Sequence, residues 1–288
     1  MAQTKKNIKW LCEQYAEAHK LNAQHKIRTS FLTLYRNVAR RLEACKVGKV
    51  AISKATADDI RAYDKSLSEC ADTTRTQYFN ALKSAFSWAV VEGLTDNNPF
   101  LKIGRNERSR QDNRNRTIKY LPIEEIETLK RTLNREQPTE RAFLFSYFTG
   151  LRLSDVQTLT KADIRTEKDG TKAIFKRMQK TQEKVYIPLR AEALELMGEA
   201  DEKGYFFVLS QHRVTIKRDL EKWAKRAGVE TKLTFHMARH SFAVQCVRNG
   251  VGIEYISKFL GHRDISTTQI YAEIPEMTLK GVFDKIRF

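Results

Sequence analysis

The first hundred residues carry hydrophobic positions at helical spacing. Apolar side chains recur every three or four residues in four successive segments, the pattern of amphipathic helices with one buried face. Thr56 can cap the third segment through its hydroxyl, and Gly93 follows the fourth. The four sets are Ile8, Leu11, Cys12 and Tyr15; Phe31, Leu34, Tyr35, Val38 and Leu42; Ile60, Tyr63 and Leu67; and Phe79, Leu82, Phe86 and Val90. The turn-forming stretch DNNPF then ends a predicted helical unit.

From Leu121 onward the hydrophobic pattern becomes mixed. Helical sets alternate with a segment in which Val185 and Ile187 stand between polar neighbours, and this alternation predicts a β-strand. The stretch QKTQEK separates two strand-like runs and predicts a hairpin turn. The chain is therefore predicted to be mainly α with a small β-sheet. A helical domain covers residues 1–100, and a mixed α+β domain covers residues 121–288.

Residues 101–120 form a predicted basic linker between these domains. They include seven Lys or Arg against two acidic residues and have almost nothing to bury. Most charge runs are solvated connectors, but in a strongly basic protein a strap along a phosphate backbone is an equally good interpretation. The candidate DNA contacts are Arg105, Arg108, Arg110, Arg114 and Arg116.

The overall charge points to a polyanionic partner. The chain has 288 residues, of which 41% are hydrophobic and 30% charged, and its net charge is +17. Nucleic acid is the first candidate for such an excess, since the charge is spread along the chain and not gathered on one membrane-binding helix. No apolar run reaches the ~18 residues of a spanning helix, so we expect a cytoplasmic protein without a membrane partner.

The cysteines do not suggest a disulfide framework or a zinc site. Cys12, Cys45, Cys70 and Cys246 are scattered, with no C-x-x-C pair. They are interpreted as buried free thiols of a reducing compartment.

Two helical motifs of the second half carry candidate chemistry. In TGLRLSDVQTL, Arg152 follows the helix-ending Gly150, and Ser154 with Gln157 has the spacing of a capping box. In FHMARHSFA, residues 236, 239 and 240 are His, Arg and His and can share a helical face. A zinc site is not favoured there, because position 237 is Met and no third ligand stands out. His240 is interpreted as a hydrogen-bonded core histidine.

The stretch FLGHRDISTTQIYAEI adds His262 and Tyr271. Gly261 can end one helix, and the spacing of Ser266 and Gln269 predicts a capping box that starts a short helix bearing Tyr271. Taken alone, Tyr271 could be a core residue, and Lys180 at the hairpin turn could be a solvated lysine.

Taken together, the arginines, histidines, lysine and tyrosine suit phosphoryl transfer to a protein hydroxyl without a metal. Arginine forks bind phosphate oxygens and offset the charge of the five-coordinate phosphorus. A tyrosine hydroxyl can be the nucleophile, while other groups protonate the leaving oxygen and assist the attack.

The motifs TGLRLSD, QKT, HMARHSFA and LGHRDISTTQIY, in this order and spacing, resemble those of the tyrosine recombinase (phage integrase) family. The resemblance covers the chain from about Leu121, and the helical first half resembles the family's SAM-like core-binding domain. Many members carry an additional N-terminal arm-binding domain, but here the predicted helices begin by Ile8, so we expect the short two-domain form. The resemblance also implies that five residues surround the scissile phosphate and that Tyr271 is the nucleophile. The five are Arg152, Lys180, His236, Arg239 and His262.

The function implied by this resemblance is site-specific recombination of double-stranded DNA through a 3′-phosphotyrosine, with no cofactor. The family also implies a free monomer and a homo-tetramer on paired sites. The apolar stripe Leu279, Val282, Phe283 and Ile286 would then dock into a neighbouring subunit, and the alternative is that it folds back onto its own catalytic domain. A type IB topoisomerase and a non-catalytic DNA-binding regulator on the same fold are the alternatives. The motifs do not distinguish integration, excision, inversion and dimer resolution.

The linker hypothesis predicts a change in the salt dependence of DNA binding. If its arginines contact phosphates, log affinity falls with log salt by about 0.9 per contact, because each contact releases counterions. Replacing Arg105, Arg108 and Arg110 by Gln should flatten this slope and weaken binding to every duplex alike. Titrations at several salt concentrations measure the slope, and an unchanged slope would identify the linker as a solvated connector.

Overall fold

The computed structural model describes residues 6–21, 29–103 and 118–272. The chain divides between Asp112 and Asn113 into two compact units. The linker arginines and the apolar stripe of the tail lie outside the described residues, so the predictions made for them stay predictions.

The described part of the first unit contains the four predicted helices. They are α1 (Ile8–Ala18), α2 (Thr29–Ala44), α3 (Ala57–Ser66) and α4 (Asp72–Val91). Thr56 caps α3 as predicted, in a reciprocal capping box with Asp59. Most of the predicted apolar positions are buried in one core. Tyr15, Phe31 and Leu34 are half-buried against this core. Val90 is exposed at 39%, in the last turn of α4 beside the exposed Val91.

The second unit is mixed, with the predicted small sheet among helices. Its helices are α5 (Ile123–Arg131), α6 (Pro138–Thr149), α7 (Leu153–Gln157), α8 (Ala191–Met197), α9 (Arg213–Ala227), α10 (Phe235–Arg248), α11 (Ile253–Leu260) and α12 (Ser266–Gln269). Its strands are β1 (Ile164–Thr166), β2 (Lys172–Arg177) and β3 (Lys184–Pro188). They pair antiparallel in the order β1-β2-β3. The mainly α fold with a small sheet is thereby confirmed.

The hairpin of β2 and β3 follows the predicted alternation. Ile174 lies opposite Ile187 in the register, and Val185 and Ile187 are buried while Tyr186 between them is 43% exposed. One face of this antiparallel pair therefore covers the core, and the other meets water.

Helix α6 is the centre of the second unit. Eight of its 12 residues are buried, and it packs against α8, α9 and α10. Its Phe143 contacts Trp223 of α9 and Phe235 of α10 edge-on, at centroid distances of 5.8 and 6.0 Å. A helix that is covered on most sides holds its C-terminal end in a fixed place, and that end borders the candidate site described below.

Glycines end α6 and α11 as predicted. Gly150 has φ 70° and Gly261 has φ 58°, in the left-handed region that L residues with a side chain rarely adopt. A Cβ on Gly150 would lie 2.7 Å from Phe242, and one on Gly261 would lie 2.9 Å from Met178 and Val185. Both positions therefore require glycine for space as well as for conformation.

Both capping boxes predicted in the second unit are wrong. Helix α7 begins at Leu153 with Arg152 at its N-cap, so Ser154 lies inside the helix. Helix α12 begins at Ser266 itself, after Ile265. The Asp264 carboxylate accepts the Ser266 N–H at 2.9 Å, so the side chain that caps this end lies two residues before the predicted one.

The cysteine prediction is correct for pairing and partly wrong for burial. All four cysteines are free, but only Cys12 is buried, and Cys45, Cys70 and Cys246 are half-buried. Across the described ranges, no helix combines the length and apolar character needed to span a bilayer.

The crowding around Gly150 predicts that replacing it by alanine destabilises the protein, and the same replacement at an uncrowded glycine serves as the reference. Gly228, at the end of α9, has φ 71° and no atom within 4 Å of an added Cβ. Gly228→Ala should therefore lower the free energy of unfolding by about 1–2 kcal/mol, through backbone strain alone. Gly150→Ala should lower the free energy of unfolding by about 1–3 kcal/mol more than Gly228→Ala does, because Phe242 and Leu260 must move. Equal losses in urea unfolding would contradict this close packing.

Candidate active site

Arg239 of α10 is the buried centre of the candidate site. Its side chain is 1% exposed, and its guanidinium donates to the carbonyl oxygens of Gly150 and Leu260, both at 2.7 Å. A third partner is Nε2 of His262, at 2.9 Å. Burial, and then the charge of Arg152, lower the pKa of Arg239 to about 9, so the guanidinium still carries its charge at neutral pH.

The contact with Arg239 fixes the tautomer of His262. A guanidinium can only donate, so Nε2 of His262 accepts and the ring proton resides on Nδ1. That N–H donates to Oγ1 of the buried Thr268 at 2.6 Å. Burial and the charge of Arg239 lower the pKa of His262 to about 3, which keeps the ring neutral.

Arg152 at the start of α7 provides a second guanidinium with a free donor. Its Nη1 is buried and, within the described residues, has no hydrogen-bond partner. Oδ2 of Asp155 lies 4.0 Å away, which is too far for a hydrogen bond. Burial lowers the pKa of Arg152. Two neighbouring guanidiniums, one with an unused buried N–H, form a site suited to an anion such as phosphate.

Asp155 connects this site to the hairpin. Its carboxylate is fully buried, and Oδ1 accepts the backbone N–H of Gln179 at 2.7 Å. Gln179 precedes Lys180, so this bond fixes the turn on which Lys180 lies. The Lys180 side chain is exposed at the edge of the site.

His236 lies among the other predicted residues. Its side chain is exposed at the surface of the site. Loss of part of its hydration, and then neighbouring groups, lower its pKa. These neighbours are His240, Arg239, Arg152 and Lys180. The rings of His236 and His240 meet edge-on, with centroids 4.4 Å apart.

Tyr271 follows α12 and points its hydroxyl at His240. Oη lies 2.7 Å from Nδ1 of His240, and the tyrosine is 2% exposed. Burial raises the pKa of Tyr271 to about 12 despite the nearby Arg239 and Arg152. His240 is hydrogen-bonded as predicted, but it is half-buried, and its partner is the candidate nucleophile and not a core residue.

The structure thus brings together Arg152, His236, Arg239, His262 and Tyr271, with Lys180 at the edge. The sequence interpretation missed the contributions of Asp155 and Thr268. The motif TGLRLSD did contain Asp155 as the only acid beside Arg152, whereas no signal singled out Thr268. In the described part of the chain, His, Cys, Asp and Glu form no group of three that could hold a metal ion.

The motifs and this geometry agree with a comparison against protein-family models. The model of the phage integrase family matches residues 119–276, which is more than half of the chain. The chain belongs to the phage integrase family.

Curated relatives of this integrase-family protein are tyrosine recombinases. XerD of Listeria innocua serovar 6a is 28% identical over 223 residues, which cover 72% of this chain and 73% of that protein. XerA of Pyrococcus furiosus is 31% identical over 219 residues, which cover 71% of each chain.

Solved structures share the fold across both units. The Tn1549 transposon integrase in complex with a circular intermediate DNA has a TM-score of 0.73 at 17% identity, covering 98% of this chain and 100% of that one. A lambda integrase dimer bound to a COC′ core site has a TM-score of 0.69 at 17% identity, covering 92% and 94%. The tyrosine-recombinase fold predicted from the sequence is confirmed.

Proposed function

We propose that this integrase-family protein is a site-specific DNA recombinase that cuts and rejoins duplex DNA through a 3′-phosphotyrosine. The observation that carries the proposal is the pair of arginines, Arg152 and Arg239, with an unused buried N–H, beside the buried hydroxyl of Tyr271. A phosphodiester is the anion that such a site can both bind and transfer.

The scissile phosphate would lie against the two guanidiniums. Arg152 would donate its free Nη1–H to a non-bridging oxygen, and this bond would become stronger as negative charge develops in the transition state. The neutral His236 would border the same oxygens from the first turn of α10. Because these groups are already fixed by packing, little reorganisation accompanies the reaction.

Tyr271 would attack the phosphorus and displace the 5′ oxygen. Lys180, exposed at the site's edge, would donate a proton to that leaving oxygen. The phosphotyrosine conserves the energy of the diester bond, so rejoining requires neither ATP nor a metal ion. The reverse attack by a 5′ hydroxyl of another strand completes the exchange.

The partners follow from the same proposal. We assign double-stranded DNA carrying a specific site as the substrate, in keeping with the net charge of +17 and with the DNA complexes of the two integrases named above. The helical residues 1–100 would be the core-binding domain, and residues 121–288 the catalytic domain. A homo-tetramer on paired sites, formed from monomers through the tail, is the assembly we propose.

The two alternatives raised by the motifs gain no support from the relatives. XerD and XerA both carry the name tyrosine recombinase, and neither a relaxing topoisomerase nor a non-catalytic regulator is found among the matches above. Recombination is therefore the function we propose.

Removing the Tyr271 hydroxyl should abolish the covalent adduct. On a nicked suicide duplex taken from the DNA flanking the gene, the wild-type protein should be trapped on DNA equally well in EDTA and in magnesium. Tyr271→Phe should give no adduct, because it lacks the attacking oxygen, while it binds the same duplex as tightly. Tyr255→Phe, at a 56% exposed position, is the matched control.

Denaturing gels detect this adduct. An adduct formed by Tyr271→Phe would refute the assignment of the nucleophile, and a strict requirement for a divalent ion would refute the metal-free mechanism.

Lys180→Ala should slow cleavage by about 10²–10⁴-fold, the usual contribution of a general acid. A duplex with sulfur in place of the 5′ bridging oxygen should restore most of the rate, because a thiolate leaves without a proton. Lys184→Ala, another exposed lysine of the same hairpin, should cleave both duplexes normally. Single-turnover cleavage rates test this role. If Lys180→Ala cleaves the sulfur-containing duplex as slowly as the normal one, Lys180 is not the general acid.

A further inference from the structure

The mechanism above does not assign an acceptor for the proton of the Tyr271 hydroxyl. When the tyrosine oxygen bonds to phosphorus, this proton must move to an acceptor. The acceptor has to lie within hydrogen-bond distance of Oη or be linked to it by one water.

His240 meets this distance requirement. Its Nδ1 lies 2.7 Å from Oη of Tyr271, across 31 residues of sequence, and the two rings are 5.7 Å apart. Within residues 118–272 the structure gives this hydroxyl no second hydrogen-bond partner. Because this O–H has no other acceptor there, it is satisfied by donating to Nδ1 of His240, and the proton of the neutral imidazole then resides on Nε2.

The protonation states of the free protein agree with a proton that moves from Tyr271 to His240. Burial raises the pKa of Tyr271 to about 12, so the phenol keeps its proton. Burial and then the charge of Arg239 lower the pKa of His240 to about 4, so its ring is neutral and has a free lone pair.

The other polar groups of the site are less suited to accept this proton. His236 is also neutral, but among the described residues the Tyr271 hydroxyl is hydrogen-bonded to His240 and not to His236. Arg152 and Arg239 are guanidiniums, which only donate. Both ring nitrogens of His262 are already occupied, Nε2 by Arg239 and Nδ1 by Thr268.

We propose that His240 is the proton acceptor for the Tyr271 hydroxyl when that oxygen attacks the scissile phosphate. This role rests on the proposed function and adds a residue that the family resemblance did not supply. His240 is a catalytic residue in this scheme, since it touches the attacking oxygen itself.

The step balances in atoms and charge. The bond from Oη of Tyr271 to phosphorus forms as the bond from phosphorus to the 5′ oxygen breaks. The phenol proton passes to Nδ1 of His240, and Lys180 gives a proton to the departing 5′ oxygen. During rejoining, the 5′ hydroxyl returns its proton to Lys180, and His240 returns its proton to Tyr271.

Binding of DNA would itself prepare His240 for this step. The positive charge of Arg239 disfavours protonation of His240 in the free protein. A phosphate placed against Arg239 offsets that charge and makes the imidazole more basic. The proton therefore stays on the tyrosine until a substrate is present.

The test separates proton acceptance from hydrogen bonding. His240→Asn places an amide oxygen near the position of Nδ1, so it can still accept the hydrogen bond but cannot take the proton. We expect the single-turnover rate of adduct formation to fall by about 10²–10⁴-fold in both His240→Asn and His240→Ala. The probe is the nicked duplex cleaved by the wild-type protein, and DNA binding should not change. His212→Ala, at an exposed histidine, should react at the wild-type rate.

A second measurement uses the acidity of the nucleophile. Incorporation of 3,5-difluorotyrosine at position 271 lowers the pKa of the phenol, because the fluorines stabilise the phenolate, and so reduces its need for a proton acceptor. In the His240→Asn background this replacement should raise the rate at least 10-fold, whereas in the wild-type background it should change the rate little. This comparison remains decisive if His240→Ala fails to fold.

Three results would overturn the proposal. They are a wild-type rate in His240→Asn, a wild-type rate in a folded His240→Ala, and no recovery with the fluorinated tyrosine. Failure of the proposed function gives a different result, since the wild-type protein itself would then form no adduct.

Discussion

The buried guanidinium of Arg239 is the constraint on which the rest of the catalytic unit depends. Removing a charge from water costs several kcal/mol unless its donors are satisfied. Here the acceptors are the carbonyls of Gly150 and Leu260 and Nε2 of His262. Both carbonyls lie at C-terminal ends of helices, where the helix dipole is negative, and each helix ends in a left-handed glycine. One side chain therefore fixes the ends of α6 and α11 and the segment that follows α11.

This arrangement leaves the site with positive charge that no carboxylate neutralises fully. Asp155 lies 4.0 Å from Arg152 and uses its other oxygen to hold the Gln179 N–H of the hairpin. Arg152 keeps a buried N–H unused. An unsatisfied buried donor is unfavourable in the free protein, and a phosphate oxygen would satisfy it. Binding and catalysis thus use the same groups, because the donors that are unsatisfied at rest are those that stabilise the transition state.

Local patterns in the sequence were sufficient for much of the fold. Helical periodicity identified the four helices of the first unit, and the glycines at 150 and 261 marked two helix ends, since both signals depend only on neighbouring residues. Motif order identified the residues that gather in the site. The capping boxes at Ser154 and Ser266 failed, because Arg152 and Ile265 occupy the N-cap positions of α7 and α12. The partner of His240 could not be predicted at all, because its hydrogen bond spans 31 residues and depends on the packing of α10 against the chain after α11.

Helix α10 and its contacts also explain how the proposed phosphate-binding residue Arg239 and the proposed nucleophile Tyr271 are held at a fixed position relative to each other. Successive residues of a helix point about 100° apart, so Arg239 faces α6 and α11 while His240 faces Tyr271. Arg239 also binds His262, which donates to Thr268, and the carbonyl of Thr268 accepts the backbone N–H of Tyr271 at 3.0 Å. The side chain that would bind the phosphate is thereby connected, bond by bond, to the backbone of the attacking residue. A shift of Arg239 must then move Tyr271 as well, so the attack geometry depends on a continuous chain of hydrogen bonds and not on loop conformation alone.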